Sequence, residues 1–378
     1  MLLVIWPAFP YPDAMLYLDV NVPATPARSY RITVGSGLLQ GVLDQVAQIL
    51  PRRPFLVTDT NLMRAGLVDR LLGDRTIPMF VIDPPGESSK NLHTLGQILD
   101  AMEEAGLGRD SVLVALGGGT VGDIGGFAAS VFKRGIPVVQ IPTTTLAQAD
   151  SAIGGKTGVD SGISKNAFGT FWHPAAVFMD VDCLRTLDQR YYRAGLVESV
   201  KHAMIADPGL FAYLEDQLDA VLACDPTTMI HVVLCNCRIK AQVVEQDPDE
   251  RNLRRILNYG HTIGHAVEAA SDYQLLHGEA VAIGLVAVGM IEQRLGLDHG
   301  DKLQRLIAML QRLKMPTRIP EGIPHQKVMR LLAYDKKSVD SRPRFVLTSR
   351  LGQVYCPAGQ WAVEVDLGLV DEIVKELC

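Results

Sequence analysis

Along the chain, hydrophobic and polar positions follow two kinds of pattern. In the first half short β-branched runs recur: FLVTD at 55–59, MFVID at 79–83, VLVAL at 112–116 and PVVQIP at 137–142. Such short, continuously apolar runs predict strands of a parallel sheet buried on both faces. Stretches of helical period separate them, among them HTLGQILDAMEEAG at 93–106. This alternation predicts a doubly wound α/β layer. Beyond about residue 184 the strand pattern fades, and AGLVESVKHAMI, MIHVVLCNCRIKAQVV and EAVAIGLVAVGMIEQRLG have the length and apolar period of helices. A proline-rich connector comes next at 315–324, and RFVLTSRLGQVY at 344–355 reads as a late hairpin. The expectation is an α/β domain over 1–184 and a helical domain over 185–378, with a cleft between them as the site.

Composition narrows the picture. A chain of 378 residues with 48% hydrophobic positions has the size of a two-domain enzyme. A formal charge of -6 leaves no basic excess for nucleic-acid phosphates, so anion binding must come from local clusters. The six cysteines form no CxxC pair, which suits thiols of a reducing compartment. The apolar start, MLLVIWPAFPYP, lacks a basic segment, carries three prolines and is too short to cross a bilayer. A cytoplasmic protein is expected, with Met15 an alternative start.

The first chemical signal is VLVALGGGTVGDIGGF, which runs from strand through glycines into helix. Gly117, Gly119 and Gly122 fit G-x-G-x-x-G, whose missing side chains let backbone amides approach a pyrophosphate. The motif comes after a late strand, and no acidic residue closes a strand about 20 residues on, unlike an ordinary dinucleotide fold. Asp59 and Asn61, at the end of another strand run, supply polar groups for a ribose or adenine, and together these features point to a nicotinamide cofactor. AIGGKTG is not a P-loop, because Asp150 stands where the first glycine is required.

Lys90, Arg134, Lys156, Lys165, Lys201, Lys240 and Arg254 fall beside Gly, Asn, Asp or His motifs rather than in charge runs. Each alone reads as a solvated surface charge. As a set in an acidic chain they suggest a small, strongly anionic substrate carrying phosphate or carboxylate. His261, His265 and His277 lie within one short stretch. His261 and His265 share a helix face, as in H-E-x-x-H, but Thr262 stands where that motif has its glutamate. Glu198, inside an otherwise apolar helix, is a candidate carboxylate ligand, and a zinc-like divalent metal suits such N/O donors.

Taken together, GGGTVGDIGGF, PTTTLAQADSAIGGKTGVD, SKNAFGTF, GLVESVKHAMI, LNYGHTIGHAVE, HGEAVAIG and DKK resemble the 3-dehydroquinate synthase family of sugar-phosphate cyclases, over most of the chain from residue 34 onward. The resemblance implies a Rossmann-like NAD-binding domain and an all-helical metal- and substrate-binding domain, usually in a homodimer. It implies conversion of 3-deoxy-D-arabino-heptulosonate 7-phosphate to 3-dehydroquinate and phosphate. The route is transient oxidation by NAD, phosphate elimination, re-reduction and intramolecular aldol closure. By carry-over Glu198, His261 and His277 hold the metal, zinc or cobalt, and His265 faces substrate. Asp150, Lys156, Asn166, Lys201, Lys240, Glu250, Arg254, Asn258 and Lys336 or Lys337 match substrate-site positions. Asp59, Asn61, Gly86, Glu87, Lys90, Gly119, Thr120, Val121, Gly122, Asp123, Thr143, Thr144, Lys165 and Thr186 match the nucleotide site, to which Lys156 is also assigned. The departures are Thr120 for a common valine, Gly125 for alanine, His173 for glutamine and Pro248 for an acidic residue. Tyr259 is shared with the inosose-forming cyclases, yet their neighbouring glutamate is Asn258 here.

Three other readings compete: a related cyclase of the 2-deoxy-scyllo-inosose type, a metal-dependent polyol dehydrogenase, and an NAD-binding regulator with a dead site. The cationic set weighs against the dehydrogenase, since a neutral polyol needs no such pocket. A dead site would be expected to lose ligands or lysines, and none is missing.

Overall fold

The structure, a computed structural model, describes residues 29–298, 300–334 and 343–378. Met15, Lys336 and Lys337 lie outside the described residues. The first part of the chain runs β1 (Arg31–Gly35), α1 (Val42–Ile49), β2 (Arg53–Asp59), α2 (Thr60–Arg64), α3 (Leu67–Leu72) and β3 (Met79–Ile82). It continues through α4 (Leu92–Glu104), β4 (Ser111–Gly117), α5 (Gly119–Val131), β5 (Val138–Pro142), β6 (Lys156–Val159), β7 (Phe168–Phe171) and β8 (Ala176–Asp180). The second part is α6 (Gln189–Ala206), α7 (Pro208–Leu222), α8 (Pro226–Gln246), α9 (His261–Ala270), α10 (His277–Arg294), α11 (Lys302–Arg312) and α12 (His325–Tyr334). Four short strands, β9 (Arg344–Phe345), β10 (Thr348–Arg350), β11 (Gln353–Val354) and β12 (Val363–Glu364), precede α13 (Leu367–Leu377).

Six strands form one sheet in the order β1-β8-β5-β4-β2-β3, and every pairing in it is parallel. The four strands expected from the apolar runs are β2 to β5. Their runs are apolar because both faces of the sheet are covered. Leu56, Val112, Val114, Leu116 and Ile141 pack with residues of α1 and α3, while Phe55, Val57, Leu113, Ala115 and Val138 pack with α4 and α5. The order reverses beside β2: the chain passes outward from β2 to β3, then returns to place β4 on β2's other side. Ligands of open α/β sheets lie outside the carboxyl ends of strands at such a reversal.

A third core binds the helices to one another and to Val177 and Met179 of β8, with Ile32 and Val34 of β1 packed against it. The β1–β8 edge of the sheet therefore continues into the helical layer. Helix starts are set locally: Asp207 and Asp225 cap α7 and α8, and each precedes a proline at the first helical position. Among the described residues no helix is long and apolar enough to cross a membrane. The late hairpin differs from expectation. Its turn lies between β10 and β11, whereas β9 pairs with β12. Phe345, Val346 and Leu347 are all buried, so this part of the run sits in the helical core and does not alternate as a two-faced hairpin strand would.

Candidate active site

On the sheet side, Asp59 closes β2 and Gly117 closes the adjacent β4, two residues beyond the register pair Val57–Ala115. Asp59 caps α2, accepting from the amides of Asn61 at 2.8 Å and Leu62 at 3.2 Å. Gly118 caps α5 without a side chain, so the amides of Gly119, Thr120 and Val121 in its first turn are open to an anion. Thr143 and Thr144 come directly after β5, the next strand, with the Thr143 amide tied to Gly117 O at 2.9 Å. The loop of Gly86 and Glu87 closes over the helix start, where Thr120 Oγ1 donates to Glu87 Oε2 at 3.1 Å. Buried Lys90 bonds Asp123 at 2.6 Å and Asn166 at 2.5 Å, so Asn166 stands with the nucleotide-type residues as much as with the substrate set. An NAD-sized dinucleotide fits this arrangement of bare amides beside an acidic strand end. Asp59 on the neighbouring strand supplies the acid that the motif's own next strand lacks.

The helical side begins with α6, which buries Glu198, Lys201 and His202 completely. Close helix contacts bring the histidines to it. A Cβ on Gly278 would meet Ala194 O of α6 at 1.9 Å, and one on Gly284 would meet Gly260 O at 2.0 Å. Those approaches press α10 onto α6 and onto the start of α9. As a result His261 Nε2 and His277 Nε2 stand 3.6 and 3.7 Å from the same Glu198 oxygen, Oε1. His261 Nδ1 donates to Tyr259 O at 3.0 Å, and His277 Nδ1 to Glu268 at 3.1 Å, which turns both Nε2 atoms toward Glu198.

This donor set fits a divalent cation. Glu198 Oε1 is buried and accepts no hydrogen bond from the described residues. A tetrahedral site with bonds of ~2.1 Å has ligand–ligand edges of about 3.4 Å, close to the distances found. His265 belongs to the same cluster: it, His261 and His277 offer ring nitrogens within 4.8 Å of one another, but its side chain is the exposed one. Burial opposes ionisation of Glu198, yet Lys201 and His261 outweigh it and hold the carboxyl well below its usual range. Burial pushes His261 down to about 3. His277 moves the other way: burial opposes its charge, but the carboxylates of Glu198 and Glu268 on either side of its ring raise it to about 9.

Cations line the adjoining wall. Lys201 pairs with the second oxygen of Glu198, Oε2. Asp150, on a π-helical turn over Ala147–Ser151, forms an ion pair with Lys240 at 2.6 Å, and the Lys240 ammonium donates to the Asp150 backbone carbonyl. Burial disfavours the Asp150 charge, but Lys240 and Lys201 dominate and keep it well below the usual carboxylate range. Arg254, 1% exposed, donates to Gly154 O at 2.9 Å and Pro248 O at 2.7 Å. Gly154 sits at φ +93°, and a Cβ there would lie 2.3 Å from the Arg254 guanidinium. Lys156, half-exposed at 52%, pairs with Glu250. Asn258 ends the turn Leu253–Asn258, immediately before Tyr259 and His261.

Arg134 lies at the far end of α5, about 18 Å along the helix from the glycine turn. Thr186 is exposed and donates to Cys183 O of its own turn. Lys336 is outside the described residues. Two buried groups are missing from the sequence reading. Glu268 bridges His277 and Lys165, and His202 faces Asp150 at 3.9 Å. Their signals in the sequence are a glutamate two turns after His261 and a histidine next to Lys201 in an apolar helix.

Comparison with known proteins decides the family. The 3-dehydroquinate synthase N-terminal family matches residues 80–194, and the C-terminal family of the same synthase matches 195–338. The chain belongs to the 3-dehydroquinate synthase family. It is 44% identical to the 3-dehydroquinate synthase of Geobacter metallireducens, over 86% of this chain and 91% of that one. With that of Symbiobacterium thermophilum it shares 44% identity, over 86% and 92%. Among solved structures it resembles 2-epi-5-epi-valiolone synthase from Streptomyces hygroscopicus, which carries NAD+ and Zn2+. The TM-score is 0.85 at 28% identity, covering 95% of this chain and 99% of that one. A 2-deoxy-scyllo-inosose synthase with carbaglucose-6-phosphate, NAD+ and Co2+ matches at a TM-score of 0.81 and 26% identity, over 92% and 96%. The fold is thus that of the family's Rossmann-like sheet domain joined to a helical domain, and the chain is an enzyme.

Proposed function

We propose that the chain converts 3-deoxy-D-arabino-heptulosonate 7-phosphate to 3-dehydroquinate and inorganic phosphate, a step of the shikimate pathway. One observation supports this reading above the others. The His–Glu–His donor set shares its wall with Lys201, Lys240 and Arg254, beside the carboxyl ends of a nucleotide-type sheet. A phosphorylated carboxylic acid calls for those cations, and a neutral polyol does not. Identity of 44% to two 3-dehydroquinate synthases favours this substrate over that of the inosose-forming cyclases, at 26%.

In this reading NAD supplies a reversible alcohol oxidation, and a zinc or cobalt ion polarises the alcohol oxygen. Glu198, His261 and His277 hold the ion. Asp59, Asn61, Gly86, Glu87, Lys90, Gly119 to Asp123, Thr143, Thr144, Lys165 and Thr186 surround the nucleotide. His265, with its ring 5.2 Å from that of His261, bonds substrate and moves a proton. Lys156 can turn from Glu250 to the phosphate. Lys201, Lys240, Arg254 and Asn258 neutralise and orient the remaining polar groups, with Asn166 beside them; Lys336, a substrate contact by resemblance alone, lies outside the described residues. Asp150 fixes Lys240, so its ammonium is aimed before substrate arrives.

The reading also covers organisation. It divides the chain into an NAD-binding domain over 1–184 and a metal- and substrate-binding domain over 185–378. It makes the protein a cytoplasmic homodimer, which suits six cysteines left as thiols and the exposed Ile163, Phe168 and Phe171 near or on β7. Light scattering on the purified chain checks the dimer. The decisive assay tracks phosphate release from the heptulosonate phosphate with NAD supplied only in proportion to enzyme. Multiple turnovers with no net NADH are expected, whereas one NADH per phosphate overturns the proposal.

A further inference from the structure

The buried carboxylate of Glu268 stands between two regions that the proposed function keeps separate. It lies on α9 two turns beyond His261, and it is 5% exposed. One oxygen accepts from His277 Nδ1 at 3.1 Å, and the other accepts from Lys165 Nζ at 2.7 Å. Lys165 comes from the segment between β6 and β7, and its ammonium is 3.8 Å from Glu87 Oε1. Glu87 in turn accepts from Thr120, in the first turn of α5. Hydrogen bonds and two longer ion-pair contacts, Lys165–Glu87 at 3.8 Å and His277–Glu198 at 3.7 Å, thus link Thr120, Glu87, Lys165, Glu268, His277 and Glu198, from the glycine turn to the candidate ion ligands.

We propose that Glu268 is a positioning residue that orients His277 and links the ion site to the nucleotide loops through Lys165. The proposal rests on the reading of Glu198, His261 and His277 as ligands. An imidazole presents Nε2 to an ion only while Nδ1 keeps its proton, and an ionised carboxylate at Nδ1 enforces that tautomer and ring angle. Glu268 needs a second partner because a buried carboxylate with one hydrogen bond leaves lone pairs unmet. Lys165 is that partner, and it is only part-buried, at 35%. A nucleotide phosphate near Glu87 and Lys165 would redraw the charge that Glu268 feels, and so change how firmly His277 is held. Linkage makes the effect reciprocal: nucleotide alters ion affinity by the same factor as the ion alters nucleotide affinity.

The test titrates cobalt(II) into the full-length, metal-stripped protein with and without NAD, reading visible absorption and competition with a chelator. In wild type, NAD should shift cobalt affinity about 5-fold or more. Glu268→Ala should weaken cobalt binding about 10- to 100-fold without NAD, and Glu268→Gln should fall between it and wild type. Lys165→Met should weaken NAD-free cobalt binding less than Glu268→Ala does, and should lose the NAD effect even at NAD concentrations shown by direct titration to saturate the variant. Circular dichroism establishes folding, and if Glu268→Ala does not fold, the Gln and Lys165 variants decide. Wild-type cobalt affinity in Glu268→Ala, or an undiminished NAD effect in Lys165→Met, overturns the proposal. A wild type that takes up no cobalt sinks the ligand reading itself, which is a separate outcome.

Discussion

β4 and β5 are buried along their whole length and carry no charged residue. The groups they bring to the site come from the turns at their carboxyl ends: bare amides after Gly118, and the threonines after Pro142. The helical layer is built the other way. Glu198, Lys201, Lys240, Arg254 and His261 belong to helical segments and are themselves 7% exposed or less. In the sheet, core and chemistry are separate, so a turn residue can change with little effect on packing. In the helices the charged groups are part of the core, and each is held by other polar groups. A change there should disturb stability and function together unless it touches a residue at the open edge.

Breaking a buried pair away from the site sharpens that contrast most. Lys302 and Glu292 pair at 2.9 Å in the helical core, with Thr348 bonded to both. Lys302→Ala should cost about 3–5 kcal/mol, read as a lower denaturation midpoint, with NAD affinity unchanged. Equal stability would mean that buried charge is not structural in this layer. Lys156→Ala, at the exposed edge, should do the reverse. A loss in kcat/KM on the order of 10²-fold with an unchanged midpoint is expected, if its ammonium meets developing anionic charge. Wild-type kinetics would remove Lys156 from the site. Smallest is Asp59→Ala, which deletes the cap of α2 and should cost about 1 kcal/mol together with some NAD affinity. Asp59→Asn should restore the cap but not the nucleotide affinity, and recovery of both would make Asp59 a capping residue alone.

The same contrast explains what is legible in the sequence. Apolar runs of one kind announce β2 to β5, and a glycine turn between strand and helix announces the start of α5. Those signals are local. β1 gives none because it is only partly buried and opens with Arg31, and β6 and β7 give none because their segment is rich in glycine and polar residues. The expected hairpin is misplaced in part, since its pairing depends on Val363 and Glu364, beyond the run itself. The histidine cluster is visible, yet spacing favours His261 with His265. The convergence of His277 on Glu198 depends on Gly278 packing against Ala194, a tertiary contact that no helical period contains. Glu268 looks like a surface glutamate for the same reason, since its partners come from the β6–β7 segment and α10.

Metal content of two purified variants tests the central assignment most directly. His261, His265 and His277 are close enough for either pair to serve, while His261 and His277 both turn Nε2 toward the unbonded Glu198 oxygen. His277→Ala should purify without bound metal. His265→Ala should keep a full complement and still lose most of its turnover. A metal-free His265→Ala beside a metal-replete His277→Ala would contradict the account and return the site to the two histidines that share one helix face.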